Sequence, residues 1–299
     1  MPTDAVRSPK SFRCRRVATR LALACGTALL AGASVAAEST PQAGTGDLLV
    51  APPRVVFEGR ASTAEVTLVN RGTQPATYRI SFVQLRMDED GGTKEIQQAE
   101  GGELFADALV RFSPRQVVLE PNIGQTVRLQ LRKPADLAPG EYRSHLLFRS
   151  IPSTEGAEPS VEAPPADKMS IQLIPVYGIS IPIIVRHGET SAAVTLGDPE
   201  VLTPGGPDAT PVLYFRVHRA GSQSVYGNLT VTFTPDGGKP IIVGLANGVG
   251  VWAPYPVRRV GVPLRPPAGV VLGRGVLQVS YAKADQRDAV IAETVLRLP

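Results

Sequence analysis

Arg54-Val55-Val56-Phe57-Glu58-Gly59 opens the part of the chain, residues 51–152, that decides the fold. Short apolar phrases follow it at the spacing of strands and turns. They are Phe112-Ser113-Pro114, Leu119-Glu120-Pro121 and Gln125-Thr126-Val127-Arg128-Leu129. A series of short strands joined by turn residues is typical of a β-sandwich.

Two strands in this region show the alternation of a half-buried strand. Ala64, Val66 and Leu68 alternate with Thr63, Glu65 and Thr67, and Val127, Leu129 and Leu131 alternate with Thr126, Arg128 and Gln130. A period of two directs one face of a strand to a core and the other to water. Asn70-Arg71-Gly72 and Asp90-Gly91-Gly92 supply turns, and Glu141 to Ile151 is a further strand opened by Pro139-Gly140.

The second half of the chain repeats this design. Its predicted strands are Val212 to Val217, Leu229 to Phe233, Ile241 to Val243, and a terminal hairpin of Val276 to Lys283 with Ala289 to Leu298. No sustained helical period lies between them, and 29 Gly with 28 Pro disfavour long helices. We therefore predict an all-β protein with two immunoglobulin-like β-sandwich domains, residues 47–187 and 188–299, after a flexible stretch at 38–46.

The N-terminus has the features of a secretion signal. Basic residues precede Leu21 to Ala37, a run of small apolar residues, and cleavage after Ala36 or Ala37 fits the small-x-small rule. The alternative is a membrane anchor, but this run is short for a bilayer span. A lipoprotein is disfavoured because Cys25 lies in the middle of the run. We predict that residues 1–37 are removed on export and that the mature chain has no membrane span.

Removal of this leader changes the charge of the chain. The whole sequence has 31 basic and 27 acidic residues, and the leader holds six of the former and one of the latter, which leaves 25 and 26. A net charge of about −1 gives nucleic-acid binding no electrostatic basis. Both cysteines, Cys14 and Cys25, also fall in the leader, so we predict neither a disulfide nor thiol chemistry in the mature protein.

No residue pattern indicates catalysis, a metal or a cofactor. The only histidines are His145, His187 and His218, and none has a second ligand residue at metal-binding spacing. Asp88-Glu89-Asp90 lacks the repeated acids of a calcium loop and is better interpreted as a solvated hairpin tip. Phosphate loops, dinucleotide motifs and nucleophile elbows do not occur. We predict that the protein is not an enzyme.

The run from Met169 to Ile183 is the one stretch whose pattern points to a partner. Its odd-numbered residues are nearly all apolar, and it follows a polar loop at 152–167. One interpretation is a central strand buried on both faces. The other is an edge strand that offers its apolar face to another protein, as in β-augmentation. The residues alone do not distinguish these two interpretations.

These phrases, in this order, resemble the PapD-like periplasmic pilus chaperones of the chaperone–usher pathway, over about residues 47–187. The resemblance implies a periplasmic chaperone that donates a β-strand to a pilin-like exported subunit and then passes that subunit to an outer-membrane usher. Ile171 and Leu173, with Met169 and Pro175, would be the donated side chains. No cofactor is implied.

The resemblance also implies a pair of cations in the cleft between the domains that binds the terminal carboxylate of the subunit. Arg54 matches the arginine of this pair. The matching lysine is missing: Ser180 occupies its position, and a shift of two residues gives Pro182. No Lys or Arg lies between Lys168 and Arg186. Either Arg54 acts with another group, or the client is not a standard pilin.

Two rival interpretations use the same fold. The protein could be an exported structural or adhesive protein with strand 169–183 buried, which the missing lysine favours. It could also bind carbohydrate, provided that Trp252 and Tyr255 form an exposed aromatic cluster rather than packing in a core or cleft. The sequence does not say whether the protein self-associates through its own edge strand.

Overall fold

The computed structural model describes residues 47–152, 176–206 and 209–299, except for the side chains at 287 and 288, and all of them belong to one compact unit. All regular secondary structure in these ranges is β-strand. In the same ranges there is no helix long and apolar enough to cross a bilayer. The prediction of an all-β chain with two immunoglobulin-like sandwiches is confirmed.

Ten strands form the first sandwich. They are β1 (Leu48–Ala51), β2 (Val55–Phe57), β3 (Thr63–Asn70), β4 (Ala76–Met87), β5 (Thr93–Ile96), β6 (Val110–Ser113), β7 (Gln116–Leu119), β8 (Gly124–Leu131), β9 (Gly140–Ile151) and β10 (Gly178–His187). One sheet has the order β1-β3-β8-β6. The other has the order β2-β10-β9-β4-β5, and β7 also pairs with β4.

The inward faces of these two sheets form one core. Val66, Leu68, Val127 and Leu129 are buried while their strand neighbours face water, as the alternation predicts. From the opposite sheet, β9 contributes Leu146 and Phe148, and β10 contributes Ile181, Ile183 and Val185. Burial of a side chain of this size contributes about 1.5–3 kcal/mol. The core therefore fixes which face of β10 points inward.

The chain changes sheets between its first two strands. β1 pairs antiparallel with β3, whereas β2 runs parallel to β10 in the opposite sheet. Residues 52–54 make this crossing. Arg54 therefore lies at the point where β2 begins to pair with β10.

Seven strands form the second sandwich. They are β11 (Ala192–Leu202), β12 (Val212–Gly221), β13 (Val225–Pro235), β14 (Ile241–Val251), β15 (Val257–Pro263), β16 (Gly275–Lys283) and β17 (Gln286–Leu298). β11-β12-β15 pack on β14-β13-β16-β17 around a second core centred on Phe215, Leu229 and Phe233.

Two of these strands, β11 and β15, were not predicted. β11 contains Gly197-Asp198-Pro199, where its pairing with β12 shifts register and Asp198 has a positive φ of 50°. Gly, Asp and Pro are typical of turns, so the sequence pattern does not indicate that the strand continues through a bulge. β15 is short, lies between prolines and carries two consecutive arginines, which conceals its period of two.

Candidate functional site

The two sandwiches meet at a buried carboxylate, Glu141 of β9. One of its oxygens accepts hydrogen bonds from the backbone N–H of Ser224 at 3.0 Å and from Arg186 Nε at 3.2 Å, and the other accepts from the Ser224 hydroxyl. Arg186 of β10 also pairs with Glu58 at 3.0 Å. Because Ser224 belongs to the second sandwich, this network ties β10 to it. The charge of Arg186 is already balanced by two carboxylates.

A second junction is built on Glu103. Arg86 binds its carboxylate in a bidentate manner, at 3.0 and 2.9 Å, and the hydroxyl of Tyr255 in the second sandwich donates to it. Burial opposes the charge of Glu103, but these hydrogen bonds outweigh burial and lower its pKa to about 2. Burial and the bond to Glu103 raise the pKa of Tyr255 to about 12.

Trp252 fills the space between these two junctions. The Arg143 guanidinium lies 4.4 Å from its ring centroid, and the His145 ring lies at 4.9 Å. Burial lowers the pKa of Arg143 to about 10, and burial followed by the charge of Arg143 lowers that of His145 to about 3. His145 is therefore neutral at physiological pH. Trp252 and Tyr255 are half-buried in contacts with the first sandwich, so they do not form the exposed aromatic cluster that a carbohydrate site requires.

The β4–β5 hairpin tip also contacts the second sandwich. Asp88 accepts a hydrogen bond from Gly92 within the tip, while Glu89 pairs with Arg216 at 3.3 Å and its carbonyl accepts from Arg259 N. The acidic tip is exposed, as predicted, but its role is to contact the other sandwich. In the described ranges, no cluster of His, Cys, Asp and Glu could hold a metal ion.

These contacts border a cleft of about 850 Å³ between the sandwiches. Three cations, Arg54, Arg186 and Lys283, and two carboxylates, Glu58 and Asp285, line it together with Tyr226. The Arg54 guanidinium lies 4.4 Å from the Tyr226 ring centroid. Burial, and then the positive charge of Arg186, lower the pKa of Arg54. An anion that entered this cleft would favour the charged form of Arg54 and oppose both effects.

Arg54 forms no ion pair with any described carboxylate, although its charge is half-buried. A half-buried arginine with its guanidinium on an aromatic ring keeps several N–H donors available. Arg54 is therefore the group in this cleft best suited to receive a carboxylate from outside.

The edge of β10 leads to Arg54. On one side, β10 pairs with β9 over its whole length, from Gly178 to His187. On the other side, β2 pairs only with Ile183 to Val185. Within the described ranges, residues 178–182 of β10 therefore have no strand on this second side.

The direction of the backbone groups shows what this open edge presents. The carbonyl of Tyr177 accepts a hydrogen bond from Ser150 N at 2.9 Å, so odd-numbered residues direct their backbone groups to β9. Because these groups alternate along a strand, Gly178, Ser180 and Pro182 direct theirs to the open edge. Pro182 has no N–H, so its missing donor faces outward, which is the position that proline tolerates in a sheet.

The side chains of β10 alternate in the same way. Ile179, Ile181 and Ile183 pack on the core of the first sandwich, while Ser180 and Pro182 are half-buried on the other face. The interpretation of a strand buried on both faces is correct for residues 183–185. Residues 178–182 pair with β9 on one edge only, and residues 169–175 of the predicted strand lie outside the described ranges.

Of the predicted site residues, the structure places Arg54 in the cleft and Ser180 on the open edge. Met169, Ile171, Leu173 and Pro175 lie outside the described residues. Tyr226 and Lys283, which line the cleft from the second sandwich, were not predicted as site residues. Neither belongs to a motif, and only the fold brings them near Arg54.

No protein-family model matches the sequence, and no curated protein matches it. Among solved structures, the YadV chaperone is similar with 12% identity and a TM-score of 0.42, over 84% of this chain and 100% of that one. The Pseudomonas aeruginosa CupB2 chaperone has 12% identity and a TM-score of 0.41, over 84% and 98%. A CsuC–CsuE chaperone–tip adhesion subunit complex from Acinetobacter baumannii has 13% identity and a TM-score of 0.40, over 84% and 97%.

Proposed function

We propose that this protein is a non-enzymatic periplasmic chaperone that binds exported pilus subunits by strand pairing on the open edge of β10. The observation that carries the proposal is the position of Arg54 at the end of that edge. Residues 178–182 have free backbone groups on the same edge of β10 that pairs with β2 from Ile183 onward. Arg54 immediately precedes β2.

The position of Arg54 favours one direction for the bound strand. A strand parallel to β10 would follow the edge toward β2 and bring its C-terminus to Arg54. An antiparallel strand would bring an ammonium group to the same cation. A carboxylate near Arg54 gains charge-assisted hydrogen bonds, whereas an ammonium group is repelled. We therefore propose that the partner binds parallel to β10 by its C-terminal strand.

The periodicity of β10 supports a role for the residues that precede it. Ile179, Ile181 and Ile183 face the core, and Met169, Ile171, Leu173 and Pro175 hold the same odd-numbered positions in the sequence before them. Val176 and Tyr177, just before β10, are exposed at 52% and 49%. We propose that side chains upstream of this point complete the core of a subunit that lacks a strand. Transfer to an usher would then proceed by strand exchange, without a nucleotide.

The two hydrogen-bonding edges of β10 give a matched pair of variants. Ser180→Pro removes an N–H that faces the open edge, whereas Ile179→Pro removes one that bonds to β9. We expect Ser180→Pro to fold and to lose the partner, and Ile179→Pro to destabilise the sandwich by about 3 kcal/mol or more.

The partner is detected by affinity purification of the tagged, exported protein from periplasmic extract, followed by mass spectrometry. We expect a small exported β-protein with the wild type, and its loss with Ser180→Pro and with Leu173→Asp. Leu245→Asp is the control, because Leu245 is an exposed leucine of β14 in the second sandwich. Equal recovery with wild type and Ser180→Pro would exclude this edge as the binding site. If Leu173→Asp unfolds the first sandwich, residue 173 is a core residue and not a donated one.

A further inference from the structure

Lys283 is the third cation that lines the cleft. It ends β16, lies opposite Gly227 in the β13–β16 ladder, and contributes to the cleft beside Tyr226, which carries Arg54 on its ring. It forms no ion pair with any carboxylate whose side chain is described. The second sandwich therefore presents its own cation to the cleft.

The three cations of the lining differ in their ion pairs. Arg186 is bound by Glu58 and by Glu141, which is buried behind it. Asp285 stands two residues after Lys283 and is the only other carboxylate among the described residues of the lining. Arg54 and Lys283 are thus the two lining cations that form no ion pair with a described carboxylate.

We propose that Lys283 binds the terminal carboxylate of the partner strand together with Arg54, so that each sandwich supplies one cation. This inference rests on the proposed function, because strand pairing on β10 is what brings a carboxylate to the cleft. The two cations suit different tasks. Arg54 is held rigidly on Tyr226, while the flexible stem of Lys283 lets its ammonium group follow the carboxylate. A strand that ends one residue early or late would meet only one of them.

The test compares two forms of one probe, a short acetylated peptide of alternating valine and threonine with either a free C-terminal carboxylate or a C-terminal amide. Dissociation constants are measured by NMR titration for the wild type, Lys283→Met, Arg54→Met and the control Lys239→Met. Lys239 is an exposed lysine in the β13–β14 turn, outside the cleft lining. We expect the wild type to prefer the acid by about tenfold, equivalent to about 1.4 kcal/mol. Lys283→Met should reduce this preference severalfold, Lys283→Arg should keep most of it, and Lys239→Met should not change it.

Each other result has a distinct meaning. If the acid preference survives in Lys283→Met and disappears in Arg54→Met, strand binding stands and the role of Lys283 is wrong. If the wild type binds acid and amide equally, the edge accepts strands but the cleft does not recognise a carboxylate. If the wild type binds neither form, strand pairing on β10 is overturned, and the role of Lys283 with it.

Discussion

The two halves of β10 are alike in sequence and different in surroundings. Residues 178–182 and 183–187 both alternate apolar side chains toward one core, and both pair with β9. The second half also pairs with β2 and is tied to the second sandwich through Arg186. The first half has no such neighbour in the described ranges. An apolar run therefore determines which face is buried, whereas its neighbours determine whether an edge stays open.

The largest expected difference between the halves concerns a buried charge. Ile183 is fully buried, whereas Ser180 is half-buried at the edge. Ile183→Asp should lower the free energy of unfolding by about 4 kcal/mol or more, or prevent folding. Ser180→Asp should lower it by less than about 1 kcal/mol. Urea denaturation of both variants checks this, and similar losses would mean that Ser180 is as enclosed as Ile183.

The next effect is that of Arg186, which anchors the second half. Arg186→Met leaves Glu141 buried without its cation, so we expect a loss of about 3 kcal/mol. The double variant Arg186→Met with Glu141→Gln should recover part of this loss, since no uncompensated charge remains. Thermal denaturation provides the measurement. If the double variant is less stable than Arg186→Met alone, the unpaired charge is not the cause.

A smaller effect is expected from pH, through His145, the β9 partner of Pro182 at the boundary between the halves. Its pKa falls from 6.5 to about 3 on folding, because of burial and then Arg143. In the unfolded chain His145 therefore takes up a proton below pH 6.5, whereas in the folded protein it does so only when the pH falls to about 3. Stability from neutral His145 is fully present above pH 6.5 and is lost as the pH falls through this window.

This loss should reach a slope of about 1.4 kcal/mol per pH unit. His145→Asn should flatten the slope between pH 6.5 and 4.5, above the range in which Glu103 titrates. Urea midpoints of both proteins across this range test the prediction. Parallel pH profiles for wild type and variant would show that His145 is not the group responsible.

The smallest perturbation is isotopic exchange, which leaves the protein unchanged. The amide of Ser180 faces the open edge, whereas that of Ile181 bonds within the β9 ladder. We expect the Ser180 amide to exchange with deuterium much faster than that of Ile181. Saturation with the acid peptide should slow exchange at Ser180 and leave Ile181 unchanged. Protection of Ser180 without a partner would indicate that the edge is already covered.

The fold was largely predictable from the sequence because alternation survives in most strands, as at Val66, Leu68, Val127 and Leu129. Arg54 was predictable only from its place in a resembling phrase. The open edge was not predictable from the sequence. Ile179 and Ile183 occupy the same period and differ only in whether β2 pairs with β10 at their position. Lys283 could not be anticipated either: it is 229 positions from Arg54, and two sandwiches must pack before the two residues share a cleft.

Pro182 has a consequence for the solubility of the protein. An unpaired apolar strand edge is a template on which further copies of a chain can stack into fibrils. Within 178–182, only Gly178 and Ser180 direct an N–H to the open edge, because Pro182 has none. From Ile183 onward β2 pairs with this edge. Replacement of Pro182 by a residue with an N–H would add a third donor to this edge and should promote aggregation.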